Sequence, residues 1–231
     1  MVSMLGALVA GAIGLVQAEA AEVSHAPASP PAGVQTPLLG VSPDQAWQRL
    51  AEGNTRYVTG KAIHPNQGAE RRRELTNGQS PFAIILTCAD SRVSPELFFD
   101  QGLGVLFVLR NAGNVLDDHI LGSMEYAFEH LHVGLIVVIG HEKCGAVSAA
   151  VAGGEAPGHI HSVVDAIEPV LEKTKSLPGD KVDNAVRANA QRAVEILTHV
   201  EPILKPAISA GRLKVLAARY DLGTGQIELL K

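Results

Sequence analysis

Three residues in this 231-residue chain have the types and spacing of a metal site: Cys88, and the pair His141 and Cys144 in an H-x-x-C run. Two thiolates and one imidazole make a soft donor set suited to zinc, and three protein ligands leave a fourth tetrahedral position open, as catalytic rather than structural zinc sites do. The spacing lets one tight turn present His141 and Cys144 to a single ion, and Gly145 beside them permits close backbone approach. Cys88 also opens the run Cys88-Ala89-Asp90-Ser91-Arg92, which puts a carboxylate and a guanidinium next to a ligand. Asp90 can accept a hydrogen bond from water at the metal. Arg92, planar and permanently charged, can grip Asp90 bidentately and keep it off the metal. Two other readings of the same residues stay open: inert buried thiols, or one bridge between Cys88 and Cys144, the only cysteines of the chain. A bridge would need neither Asp90 nor Arg92.

The elements that must position these residues are legible as hydrophobic patterns. Residues 82–87, 105–109 and 135–139 are apolar at nearly every position, as strands buried on both faces are, and 214–218 reads as a fourth strand. Helices fall between them. Ser42-Pro43-Asp44-Gln45 is a capping box with proline at the first helical position, followed by Ala46, Trp47, Leu50 and Ala51 before Gly53. A charged helix fits 69–76. Ile120, Leu121, Met124, Phe128 and Leu131 recur at helical spacing, and so do Val186, Ala190, Ala193, Leu197 and Val200. Strands alternating with helices imply right-handed crossovers and a parallel sheet, so Cys88 and His141 stand at the carboxyl ends of strands on one edge, where open α/β sheets place their ligand sites. A turn over 221–225 leads into a short edge strand at 226–230.

Composition narrows the function. The chain is 46% apolar and 19% charged with a net charge of -5, and its largest basic cluster is Arg71-Arg72-Arg73, so a nucleic-acid footprint is absent. Residues 4–16 form a nearly unbroken apolar run before Ala18-Glu19-Ala20, an A-x-A cleavage pattern, too short to span a membrane well. The first basic residue is Arg49, so the positive flank of a signal peptide is missing, and a plain apolar tail is the alternative. The expected organisation is a signal peptide over 1–20, an Ala/Pro-rich linker over 21–41 and one domain over 42–231, in a periplasmic or secreted protein with no membrane attachment after cleavage. Of the nine histidines, those other than His141 are scattered; His159 and His161 could relay protons, and Glu142 and Lys143 read as a solvated turn.

The run from Cys88 to Arg92 together with Gly140-His141-x-x-Cys144-Gly145-Ala146 closely resembles the β-class carbonic anhydrases. So do Val93-x-Pro95-Glu96, Arg110-Asn111-Ala112-Gly113-Asn114, Gly122-Ser123-x-Glu125-Tyr126 and the C-terminal 218–225. The resemblance implies an α/β fold with four parallel strands and an antiparallel edge strand, one Zn2+ per chain on Cys88, His141 and Cys144, and Asp90 and Arg92 as the catalytic dyad. It also implies a substrate pocket with Gln79 bonding carbon dioxide or bicarbonate and Phe107 and Tyr126 as aromatic walls, in a homodimer or larger homo-oligomer. Helical geometry agrees independently for Tyr126, which points about 200° from Met124 and the core stripe. The implied reaction is reversible hydration of carbon dioxide to bicarbonate and a proton by attack of zinc-bound hydroxide. Hydrolysis of carbon disulfide or carbonyl sulfide on the same fold is the alternative within the enzymes. A non-catalytic zinc or bicarbonate-binding module is the alternative outside them, and there Asp90 or Arg92 would be expected to be replaced.

Overall fold

The computed structural model describes residues 41–231, so the signal-like segment and all of the Ala/Pro-rich stretch except Val41 lie outside the described residues. In chain order the elements are α1 (Pro43–Val58), α2 (Ala69–Leu75), β1 (Ala83–Cys88), α3 (Pro95–Phe98), β2 (Leu106–Asn111), a 3-10 turn (Ala112–Asn114), α4 (Asp118–Leu131) and β3 (Leu135–His141). Then come α5 (Gly145–Ala152), α6 (Ile160–Ile167), α7 (Leu171–Thr174), α8 (Lys181–Leu197), α9 (Leu204–Ser209), β4 (Lys214–Tyr220) and β5 (Ile227–Leu229). The strands form one sheet in the order β2-β1-β3-β4-β5, with β5 alone antiparallel. This is the expected architecture.

The continuous apolar runs have their cause in the two-sided burial of the central strands. Ile84, Leu86, Ile136 and Val138 face α4, α8 and α9, while Ala83, Ile85, Leu135, Val137 and Ile139 face α1 and α3. Each such aliphatic side chain contributes roughly 1.5–3 kcal/mol on burial, so a polar residue on either face needs a partner of its own, as the buried Thr87 has in the Ile139 carbonyl. Strands β1, β3 and β4 run one or two residues beyond their apolar cores, and those extra residues include Cys88 and His141. Among the described residues no helix is long and apolar enough to cross a membrane.

Helix α1 begins as its capping box requires: Gln45 N–H donates to Ser42 Oγ at 3.2 Å and Ser42 N–H to Gln45 Oε1 at 2.9 Å. It runs on past Gly53 to Val58. A Cβ at Gly53 would lie 1.8 Å from the carbonyl oxygen of Phe99, so this glycine lets α1 lie against the segment after α3. The next residue, Asn54, fastens the contact, its Nδ2 donating to the carbonyls of Phe98 (2.9 Å) and Gly225 (2.8 Å) and its Oδ1 accepting from Ile227 N–H (2.9 Å).

Asp100 anchors the other end of this wedge. Its buried carboxylate accepts Arg56 Nε at 2.6 Å and the amides of Ile63 and His64. Burial would raise its pKa, but the Arg56 hydrogen bond and the two amides outweigh burial and hold it below the ordinary carboxylate value. A depressed folded-state pKa stabilises the fold above the unfolded value of about 3.9, and that contribution is lost as pH falls through the folded value. Asp100→Asn keeps a residue that tolerates the positive φ of 46° while removing the charge. The variant is expected to be about 1–3 kcal/mol less stable in denaturant titrations at pH 7, with the gap narrowing at pH 3. An equal gap at both pH values would contradict this assignment.

Candidate metal centre

The sheet order places β1 beside β3 while the chain leaves β1 for β2 on one side and β3 for β4 on the other. Their carboxyl ends therefore flank the topological switch point where α/β sheets bind ligands. Thr87 pairs with Ile139 in register, and its hydroxyl donates to the Ile139 carbonyl at 3.2 Å, so Cys88 and His141 leave the sheet at the same edge. The turn after β3, with Lys143 at φ 52°, returns the chain so that Cys144 becomes the N-cap of α5. The ligand atoms of Cys88, His141 and Cys144 all lie within 4.8 Å of one another and all three residues are buried; among the described residues no other such group of three occurs.

Three observations show that this donor set fits a zinc ion. The two sulfurs are 4.0 Å apart, close to the edge of about 3.8 Å that a tetrahedron with Zn–S bonds near 2.3 Å requires. His141 Nδ1 lies 2.9 Å from the carbonyl oxygen of Glu142; as the donor in that contact it leaves Nε2 bare. Among the described residues Nε2 is one of two buried side-chain polar atoms without a hydrogen-bond partner, an expensive arrangement unless a cation completes it. The hydrogen bond from Cys144, with the nearby His141 imidazole and the Gly113 amide against the opposing effect of burial, draws Cys88 down to about 4, while the same bond and burial push Cys144 well up.

The dyad is formed. Arg92 Nε donates to Asp90 Oδ1 at 2.9 Å, Nη2 to Oδ2 at 2.7 Å and the Arg92 amide to Oδ1 at 2.9 Å. The Arg92 hydrogen bonds outweigh some desolvation and hold Asp90 well below the usual carboxylate range. Asp90 Oδ2 stands 3.8 Å from the bare Nε2 of His141, so the carboxylate faces the cluster without joining it.

The residues read as a substrate pocket are not gathered at this centre within one chain. Gln79 is exposed ahead of the amino end of β1, and Cys88 closes its carboxyl end, a separation on the order of 20 Å for a strand of that length. Phe107 pairs with Ile84, four residues and so about 13 Å down the strand from Cys88; its ring is 6.4 Å from that of Tyr126, which is 49% exposed. Two other readings change. Glu142 is not simply solvated, since its carboxylate accepts the amide of Leu222 at 3.2 Å and ties the ligand turn to the β4–β5 connection. Gly145 meets nothing within 4 Å, so the packing of this chain does not require a glycine there.

Sequence reasoning left several positioning residues without a role. Arg110 Nε donates to the Cys88 carbonyl at 3.1 Å and its Nη2 to the Asp90 carbonyl at 2.8 Å, so one side chain fixes the path from ligand to dyad. Asn111 staples the following loop, its side chain accepting from Val115 N–H (3.0 Å) and donating to the Val115 carbonyl (2.9 Å). Within that loop Gly113 N–H donates to Cys88 Sγ at 3.4 Å. The signal for Arg110 and Asn111 was their place in a matched motif; Asn189, which bonds the Gly113 carbonyl from α8, lay outside every motif.

Known proteins resemble this chain in sequence and fold. The sequence profile of the carbonic anhydrase family matches residues 83–227. A carbonic anhydrase of Mycolicibacterium smegmatis is 40% identical over 81% of this chain and 93% of its own, and carbonic anhydrase 2 of Mycobacterium tuberculosis 41% identical over 83% and 95%. A Coccomyxa β-carbonic anhydrase solved with acetazolamide superposes with a TM-score of 0.63 at 26% identity, covering 83% of this chain and 86% of that one. One of two tetrameric β-carbonic anhydrases of Sordaria macrospora shares the fold at a TM-score of 0.65 and 24% identity, over 80% of this chain and 96% of that one.

Elemental analysis of the native protein is expected to find one zinc per chain, with Cys88 and Cys144, both free of a disulfide here, unreactive toward a thiol reagent until a chelator removes the metal. A disulfide between them in protein that carries no zinc would overturn the metal centre.

Proposed function

The chain belongs to the β-class carbonic anhydrases, a family of lyases, and on that premise we propose that it catalyses the reversible hydration of carbon dioxide to bicarbonate and a proton. The observation that carries this reading is the completed Asp90–Arg92 pair facing a three-donor cluster whose imidazole nitrogen is bare. Cys88, His141 and Cys144 would hold zinc, which supplies a Lewis acid able to bring the pKa of water toward neutrality and leaves a coordination position for it.

The remaining chemistry belongs to the chain's own side chains. Asp90 stays ionised across the working pH range because Arg92 holds its carboxylate, so it accepts a hydrogen bond without taking up the proton. With zinc held there, an acceptor-only Asp90 would select water or hydroxide, which carry a hydrogen to donate, over ligands that carry none. Arg92 keeps both carboxylate oxygens engaged and so prevents Asp90 from becoming a fourth ligand. The proton released is left to solvent.

Gln79, Phe107 and Tyr126 take part in this reading only if a second copy of the chain brings them to the metal edge, because the length of β1 separates them from Cys88 in their own chain. The half-exposed Tyr126 and the partly open β2 edge support a homodimer or larger assembly, with carbon dioxide bound where two copies meet. Export to the periplasm or beyond is proposed on the leader-like residues 1–20 alone.

Stopped-flow assays on protein of measured zinc content are expected to show carbon dioxide hydration that scales with zinc; fully loaded protein without hydration would refute the reading. In Arg92→Ala the freed Asp90 should occupy the fourth position, so hydration is expected to fall about a hundredfold or more while zinc content is unchanged. Near wild-type rates in that variant would remove the dyad from the mechanism. Sedimentation at assay concentrations is expected to find dimers or larger species, and an active monomer would rule out a shared pocket.

A further inference from the structure

Asn189 lies on α8, outside every matched motif, yet its side chain is only 5% exposed and its Nδ2 donates to the carbonyl of Gly113 at 2.9 Å. Gly113 is the residue whose own N–H reaches Cys88 Sγ at 3.4 Å. The geometry of this glycine is demanding. It sits at φ 73° and ψ 13°, and a Cβ there would lie 2.8 Å from Ile167 Cδ1 and 3.2 Å from the Cβ of Ala146. A left-handed residue in a short turn has alternatives of similar energy, and what selects among them is the fate of its two backbone groups. Here the carbonyl is taken by Asn189 and the amide by the sulfur.

We propose that Asn189 is a positioning residue for the metal centre: by gripping the Gly113 carbonyl it orients that residue so that its amide donates to Cys88 Sγ, and so sets how strongly this thiolate binds and donates to the metal. The inference rests on the metal reading given above and extends it to a residue of α8. A hydrogen bond to a coordinating thiolate withdraws electron density from sulfur. The sulfur then donates less to the ion, which is left a stronger Lewis acid, while the ligand is fixed in one orientation. Asn111 already closes the base of the loop through Val115, so the position of the loop and the aim of the Gly113 amide are controlled separately.

The test uses cobalt(II) in place of zinc, because a thiolate-to-cobalt charge-transfer band reports on the sulfur directly and needs no turnover. Asn189→Leu is nearly isosteric and removes the donor. Its charge-transfer band should move to lower energy, and its zinc affinity, measured by chelator competition, should weaken about 10- to 100-fold. Leu197→Ala, in the fully buried far end of the same helix, is the structural control; it should lose thermal stability while keeping the wild-type band and affinity. Asn189→Ser withdraws the donor with a smaller side chain and carries the same expectation should the leucine variant fail to fold. A band and affinity within twofold of wild type in an Asn189 variant, or an equal change in Leu197→Ala, would overturn the role. Wild-type protein showing no charge-transfer band at all would instead overturn the metal centre on which the role rests.

Discussion

Two thiols and a bare imidazole nitrogen within 4.8 Å of one another, all buried, form the constraint around which the molecule is organised. Left unpaired in the interior, His141 Nε2 would cost roughly 1–3 kcal/mol, and no side chain among the described residues satisfies it, so the cluster is built to receive a cation. Such an arrangement persists only when its surroundings over-determine it. The walls do so: β1 and β3 are paired in register and buried on both faces, and Val147, Val164, Ile167 and Val186 pack around the cysteines as an apolar shell. That shell excludes water from behind the ligands and leaves the Asp90 side as the approach.

Each ligand is then aimed by a different local device. His141 is oriented by the carbonyl of the next residue, Cys144 by its place at the start of α5, and Cys88 by groups from two directions, Arg110 on its carbonyl and the Gly113 amide on its sulfur. These devices draw on β2 and the 3-10 turn after it, on the turn after β3 and on α5, so the cluster depends on contacts far apart in sequence. Glu142 adds the β4–β5 connection to the same set by accepting the Leu222 amide. Strands set the approximate position of the ligands, and hydrogen bonds from non-neighbouring segments set their direction.

This division explains what could be read from the sequence. Patterns that report burial were enough for β1, β3, β4 and the stripes of α4 and α8, because an apolar run or a helical period is a local property. The ligands and the dyad were legible for the same reason, being compressed into Cys88-Ala89-Asp90-Ser91-Arg92 and an H-x-x-C turn. A glycine in a helical stripe, such as Gly53, resembles a terminus, and only the position of Phe99 reveals it as a packing contact. Glu142 misled because its partner is 80 residues away. Asn189 left a faint signal, standing three residues after Val186 and four before Ala193 and so on the apolar face of α8, where an amide needs a buried partner; nothing local names that partner as Gly113. Short helices such as α6, α7 and α9 carried no period long enough to detect.

Two of the carboxylate–arginine pairs show how similar contacts serve different ends. Asp100 is fully buried, meets Arg56 and two backbone amides, and joins α1 to the segment after α3, so its worth lies in the stability of the fold. Arg92 is half exposed, and a pair open to solvent is worth at most about 1 kcal/mol because water and salt compete for both partners. Stability therefore cannot account for an arginine at this position. Three hydrogen bonds from one residue fix both oxygens of Asp90 in the plane of the guanidinium, which a lysine, a point charge on a flexible stem, could not do. Arg92 also reaches the Lys143 carbonyl at 3.3 Å, which couples the carboxylate to the turn that carries His141 and Cys144. The pair is best understood as a device that fixes direction: it holds an anion close to a cation-binding cluster while denying it the contact that simple electrostatics would favour.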